Sequence, residues 1–126
     1  MMTNRVVIRT ADEAAFFAAA REAARRADRG EPFEGTITLS FEDPRRMLKV
    51  LTKNRQALVR EVMRQPDTIP DLAKRLGRNR ISVSKDVSLL EKIGVVRSER
   101  VPNPGHGIHK LVRPVARRVE LVSVIE

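Results

Sequence analysis

Two histidines, three closely spaced serines and a crowd of basic side chains are the groups whose type and spacing could do chemistry in this sequence. His106 and His109 are near enough to share a metal ion, but a site needs a third or fourth ligand and the chain has no cysteine to supply one. Gly105 and Gly107 form a fragment of a phosphate-cradling loop; the helix that must follow in a dinucleotide site is missing, so a hairpin turn is expected there. Ser82, Ser84 and Ser88 crowd one helical stretch, and the histidines fall on a tip open to water, so no nucleophile and base are expected to meet. Neither an enzyme nor a bound cofactor is expected. What remains is cationic and polar: Arg78, Asn79, Arg80, Ile81, Ser82, Ser84, Lys85 and Ser88 in one run, and Arg97, Arg100, His106, His109 and Lys110 in another. Lysine, arginine and serine donate to phosphate oxygens and base edges, and an isoleucine side chain can meet a thymine methyl, so both runs are candidates for contact with duplex DNA.

The elements that must carry these groups can be read from hydrophobic period and turn residues. Thr68 can cap a helix with Pro70 in its first turn and Asp71 near its positive end; Leu72, Ala73 and Leu76 face inward, and Gly77 stops it. Asn79 can cap the next helix, to about Ile93, whose Val83, Val87 and Leu90 repeat at helical spacing before Gly94. The opposite arc of that helix holds Ile81, Lys85 and Ser88, flanked by Ser82, Ser84 and Leu89, with Arg78 and Arg80 at its start. Val95 to Val101 and Ile108 to Arg113 read as strands around a Gly/Pro-rich tip from Pro102 to Gly107. Upstream, a helix from about Arg55 to Gln65 turns Leu58, Val59, Val62 and Met63 inward, and a helical stretch from Glu42 offers Met47, Leu48 and Leu51. At the N-terminal side Arg5 to Arg9 reads as a strand, Ala11 to about Arg29 as a helix with an Ala-rich stripe, and Thr36 to Phe41 as a strand with Ile37, Leu39 and Phe41 inward. A loop is expected between Pro32 and Gly35, and a last strand over Arg118 to Ile125.

The 126 residues fit one domain, and 41% hydrophobic with 33% charged residues can bury a core. The charge is lopsided. Residues 1–50 carry 9 basic and 8 acidic side chains, and residues 51–126 carry 16 and 8, so nearly all of the net +9 lies in the second part and points to an anionic partner. All four phenylalanines (Phe16, Phe17, Phe33, Phe41) lie in the first part, which leaves the basic part without rings for stacking unpaired bases and favours duplex over single-stranded nucleic acid. The longest early apolar run, Val6 to Ile8, is too short for a signal peptide or a membrane span; no membrane contact and a cytoplasmic location are expected.

A helix, a Gly turn, a second helix and an immediate basic hairpin make a winged helix-turn-helix pattern. The run Leu72-Ala73-Lys74-Arg75-Leu76-Gly77, then Val83-Ser84 and Leu90-Glu91-Lys92-Ile93-Gly94-Val95-Val96, resembles the MarR/ArsR-like winged-helix regulators over about residues 44 to 113. With Ser40-Phe41-Glu42-Asp43, Leu51-Thr52 and a strand after Pro114, the chain looks most like the small prokaryotic helix-turn-helix antitoxins paired with TumE-type toxins, although Val115 stands where that resemblance leads one to expect an aromatic. The expected fold is thus α+β, with residues 1–41 a strand-helix-strand unit for dimer or partner contact, 42–113 the DNA-binding winged helix-turn-helix and 114–126 a C-terminal strand. The resemblance implies a sequence-specific DNA-binding transcriptional regulator that represses its own promoter as a homodimer, through its N-terminal helix and outer strands, and a toxin protein as a further partner. The alternative is a protein-interaction module that neutralises a partner, with DNA binding secondary.

Overall fold

A computed structural model describes residues 5–9, 33–103, 105 and 107–125, with backbone alone for 5–9, 33, 34 and 103. The expected helix over 11–29 and the side chain of His106 lie outside the described residues. The elements are β1 (Arg5–Arg9), β2 (Phe33–Phe41), α1 (Pro44–Val50), α2 (Lys53–Arg64), β3 (Asp67–Thr68), α3 (Ile69–Leu76), α4 (Arg80–Lys92), β4 (Val96–Asn103), β5 (Gly107–Pro114) and β6 (Ala116–Ser123).

Two three-stranded sheets flank the helices. One is parallel in the order β1-β2-β6, with Ile37 opposite Val6 on one side and Val119 on the other. The other is antiparallel in the order β3-β5-β4, with Asp67 opposite Val112 and Arg100 opposite Lys110. The α+β winged helix-turn-helix expected from the sequence is the fold observed, and the C-terminal strand joins the N-terminal sheet rather than the wing.

One continuous core holds the parts together. Ile37, Leu39 and Phe41 of β2 meet Leu51, Leu58 and Val62, and the same cluster runs on through Leu72, Val83, Val87 and Leu90 to Val95, Val112 and Val115. β2 is central in its sheet and buried, so removing residues 1–41 would open this core to water. Thr38, on the opposite face of β2, is also buried and donates its hydroxyl to Glu120 Oε2 at 3.3 Å.

Several boundaries differ from the sequence reading, each for a local reason. Gly35 lies inside β2 instead of in a loop, at a register irregularity between Phe33 and Thr36, where a residue without a side chain suits the bulge. α2 begins at Lys53, two residues ahead of the expected start at Arg55, because the Thr52 hydroxyl accepts the Arg55 N–H at 3.2 Å and caps the helix there. Leu48 is 56% exposed; α1 spans only seven residues, and Met47, Val50 and Leu51 already fill its inward side. The two-residue strand β3 carries no hydrophobic period and was not expected. The wing strands run to Asn103 opposite Gly107, so Pro102 and Asn103 belong to β4 and the tip is correspondingly shorter.

Candidate nucleic-acid interface

The helix-turn-helix is built by its caps. Thr68 accepts the Asp71 N–H at 3.4 Å and donates its own hydroxyl to the Asp71 carboxylate at 3.2 Å, which starts α3. Gly77, at φ 64°, takes the left-handed conformation that lets its N–H reach back to Lys74 O and that of Arg78 to Ala73 O. Two residues later Asn79 Oδ1 accepts the Ile81 N–H at 2.7 Å and launches α4. The turn between the helices is therefore three residues long, and every one of them has a defined backbone role.

The inward side of α4 carries Val83, Val87 and Leu90, all at most 2% exposed, with Asp86 at 8% beside them. Asp86 is the acid that the sequence reading passed over. Its two carboxylate oxygens accept Arg55 Nε at 2.9 Å and Arg78 Nη2 at 2.7 Å. Arg55 also donates through Nη1 to Val50 O at 2.9 Å and Lys49 O at 3.2 Å, so one clasp ties the end of α1, the start of α2, the inter-helix turn and α4. The signal for it was present in the sequence: Asp86 lies three residues after Val83 and four before Leu90, on the apolar stripe, where a charge needs a buried partner. A second cluster ties the last turn of α3 back to the end of α2 and to β3. Arg75 bridges Glu61 at 3.0 Å, Asp67 at 2.8 Å and the Gln65 carbonyl at 2.7 Å. Glu61 also accepts from Arg64 at 2.6 Å, and this hydrogen bond, with the nearby Arg64 and Arg75 charges, holds its carboxyl below the ordinary value despite some desolvation.

The outward side of α4 is open. Arg80, Ser82, Ser84, Lys85 and Ser88 are exposed, and Ile81 is 66% exposed. Leu89, by contrast, packs against the core. No acidic residue occupies the first turn of α4, so the positive end of its dipole faces outward uncancelled, beside Arg80. Arg78 does not share this face freely, because its guanidinium is committed to Asp86, and Asn79 uses its side-chain oxygen as the cap.

On the wing, Arg100 and Lys110 are both exposed and directly opposite in the antiparallel ladder. Like charges so placed repel, and an anion between them would remove the penalty. Arg113 is neutralised by Glu99 at 2.6 Å. Arg97 and His109 are half-buried on the other face, the latter opposite Val101, while Ile108, 68% exposed, lies opposite Pro102 beyond the Arg100–Lys110 pair. Among the described residues no cluster of three or more His, Cys, Asp or Glu could hold a metal. No helix among them is long and apolar enough to cross a membrane.

These features define the class: a winged helix-turn-helix, with α3 and α4 as the paired helices and β4–β5 as the wing. A family model described as HVO_A0114 matches residues 50–109, just under half of the chain, which covers α2 to the wing. No curated protein matches the chain. Among solved structures, the chain is similar to the homodimeric winged helix-turn-helix DNA-binding domain, fragment 1–100, of a possible ArsR-family transcriptional regulator from Mycobacterium bovis, at 18% identity and a TM-score of 0.44. The match covers 57% of this chain and 63% of that one.

Proposed function

We propose that the chain is a sequence-specific duplex-DNA-binding transcriptional regulator that acts as a homodimer and represses its own promoter. One observation carries this reading: the only acid between residues 80 and 90, Asp86, is turned into the core clasp and Glu91 is half-buried in the last turn, so the exposed residues of α4 from Arg80 to Ser88 are all neutral or cationic. In this reading α4 enters the major groove, where Lys85, Ser82, Ser84, Ser88 and Ile81 meet base edges and Arg80 lies near phosphate, while Arg78 stays on Asp86 and Asn79 on the cap. Arg100 and Lys110 bring the wing to the flanking backbone or a narrow minor groove, and His109, on the other face of the hairpin, is left out of that contact. Residues 42–113 supply the DNA contacts, and residues 1–41 with 114–126 supply contacts to protein.

The test is the salt dependence of binding between the full chain and duplex DNA. About six phosphate contacts give a slope near −5 in log K against log salt concentration, and a flat dependence overturns the reading. The resemblance to helix-turn-helix antitoxins adds a toxin protein as partner, and with it the alternative in which neutralising that partner is the main role. A largely apolar groove of about 160 Å³ between α2 and β6, lined by Leu51, Val59, Met63, Val95, Val119 and Leu121 with Gln56 and Arg60 at its polar side, is an open apolar surface that favours a protein contact as a second role. Co-expression of a small toxic protein encoded beside this one tests it: rescue of growth supports the antitoxin reading, and unrelieved toxicity removes it.

A further inference from the structure

We propose that β6 is the dimer seam, pairing antiparallel with β6 of a second copy about a two-fold axis at Val119, so that the two three-stranded sheets become one of six strands. The inference rests on the homodimer in the reading above and assigns it a surface and a register. β6 pairs with β2 on one side, and among the described residues no strand lies on its other side, so alternate N–H and C=O groups along it face outward without a ladder. The edge is also apolar toward its end: Val122, Val124 and Ile125 are three of the six exposed large hydrophobic residues described. Beneath it lies the apolar groove, to which β6 contributes Val119 and Leu121.

The charges select a second copy as the occupant, and they select the register. Arg118 and Glu120 share the face of β6 opposite to Val119 and Leu121, and lie 3.2 Å apart. With the two-fold at Val119, each Arg118 falls opposite a Glu120 of the other copy, and each Glu120 opposite an Arg118. A two-fold at Glu120 or Arg118 would instead set like charges face to face. An axis at Leu121 places Glu120 opposite Val122. Only the Val119 axis among these pairs both charges, and it brings the two Val119 side chains together over the grooves. Such a contact is self-complementary and closes at two copies, which removes the open edge.

The full-length chain is tested by sedimentation at micromolar concentration, with folding followed by circular dichroism. The wild type is expected to be a dimer. Glu120→Arg and Arg118→Glu each turn two attractive cross-copy pairs into repulsive ones and are expected to weaken dimerisation about tenfold or more. Mixing the two variants is expected to restore a heterodimer, since both arginines of the Glu120→Arg copy then face both glutamates of the Arg118→Glu copy. The pairs within each chain stay repulsive in that mixture, so recovery reports the contact between copies. Should either variant fail to fold, a single cysteine gives a second measurement, because the chain has none of its own. Val119→Cys places two sulfurs where opposed Cα atoms lie ~4.5–5.5 Å apart, within disulfide range, and is expected to cross-link with itself under mild oxidation. Ser123→Cys places them ~26 Å apart and is expected not to. A monomeric wild type, or cross-linking at Ser123 and not at Val119, overturns the proposal; so does a dimer indifferent to both charge reversals, which would leave the β6 edge to another protein. DNA binding is measured separately, so a monomer with a steep salt slope removes the seam and the dimer while the DNA-binding reading stands, and a Val119-linked dimer with a flat slope removes DNA binding while the seam stands.

Discussion

Replacing Asp86 with asparagine tests whether the clasp holds α4 in place. The substitution keeps the shape of the side chain but removes its charge, and it converts one acceptor into a donor aimed at a guanidinium. Two charge-assisted hydrogen bonds, at 2.9 and 2.7 Å, are affected. Each such bond contributes about 1.5–3 kcal/mol. Arg55 retains the Val50 and Lys49 carbonyls, whereas Arg78 already has its Nη1 buried without a partner and would lose its remaining anchor. The side chains are not sealed from water, being 12–23% exposed, so part of the loss is recovered by hydration and the figure falls below the full cost of breaking a buried pair. We expect Asp86→Asn to cost about 2–4 kcal/mol, a large share of the stability of a small domain. At roughly 4 °C per kcal/mol this lowers Tm by about 8–16 °C, with the midpoint of urea unfolding reduced and its slope unchanged. Arg55→Ala should be strongly non-additive with it. A Tm within about 2 °C of the wild type, or strict additivity of the two substitutions, refutes the clasp.

On the DNA side, Lys85→Ala and Arg80→Ala should each weaken specific binding by about 1–3 kcal/mol where they reach a base, with Tm unchanged because neither side chain touches the core; unaltered affinity in both variants would place the contact face elsewhere. On the wing, Arg100→Ser and Lys110→Ser should each leave stability unchanged or slightly raised, since a repulsive pair is relieved, while flattening the salt slope for DNA by about one unit; a stability loss would mean the pair is not repulsive. Glu61 contributes pH-dependent stability of known sign. Its folded-state pKa is lowered, so its contribution is present above the unfolded value and is lost as pH falls through the folded one; Glu61→Gln should flatten the urea midpoint in that acid window and lower it at neutral pH, and an unchanged acid profile would remove the Arg64–Arg75 pairing as a source of stability.

The parts legible in the sequence are those encoded by local signals. Thr68 with Pro70, Gly77, Asn79 and Gly94 punctuate the helix-turn-helix, and the periods of Val83, Val87 and Leu90 and of Ile37, Leu39 and Phe41 mark which faces are buried; each concerns residues within a turn or two of one another. What was not legible depends on partners distant along the chain. β3 exists because Asp67 and Thr68 meet Val112 and Leu111, and nothing in those two residues announces a strand. The sequence reading gives Asp86 no role for the same reason: it is an inward group whose partners lie 31 and 8 residues away. The exposed face of α4 could be drawn from the helical wheel, but that Arg78 is spent on the clasp and Asn79 on the cap could not.

These long-range pairings also decide what each region can do. An inward aspartate on α4 has two effects at once: it fixes the helix against α1 and α2, and it leaves the exposed residues from Arg80 to Ser88 free of negative charge. A hydrophobic residue at the same place would do only the second, but Arg55 would then keep no more than the Val50 and Lys49 carbonyls, and Arg78, without its anchor, would turn to solvent near the start of α4. The surface would become more basic and less specific, binding phosphate wherever it lay. By committing two arginines to one buried acid, the fold leaves Arg80 and Lys85 as the exposed cations of the first two turns of α4. The sheet on the other side makes a parallel division: β2 is buried and central, and β6 keeps its edge and its paired charges Arg118 and Glu120 outward. A dimer formed there uses none of the side chains Arg80, Lys85, Arg100 or Lys110, because none of them belongs to β6 or to the groove beneath it.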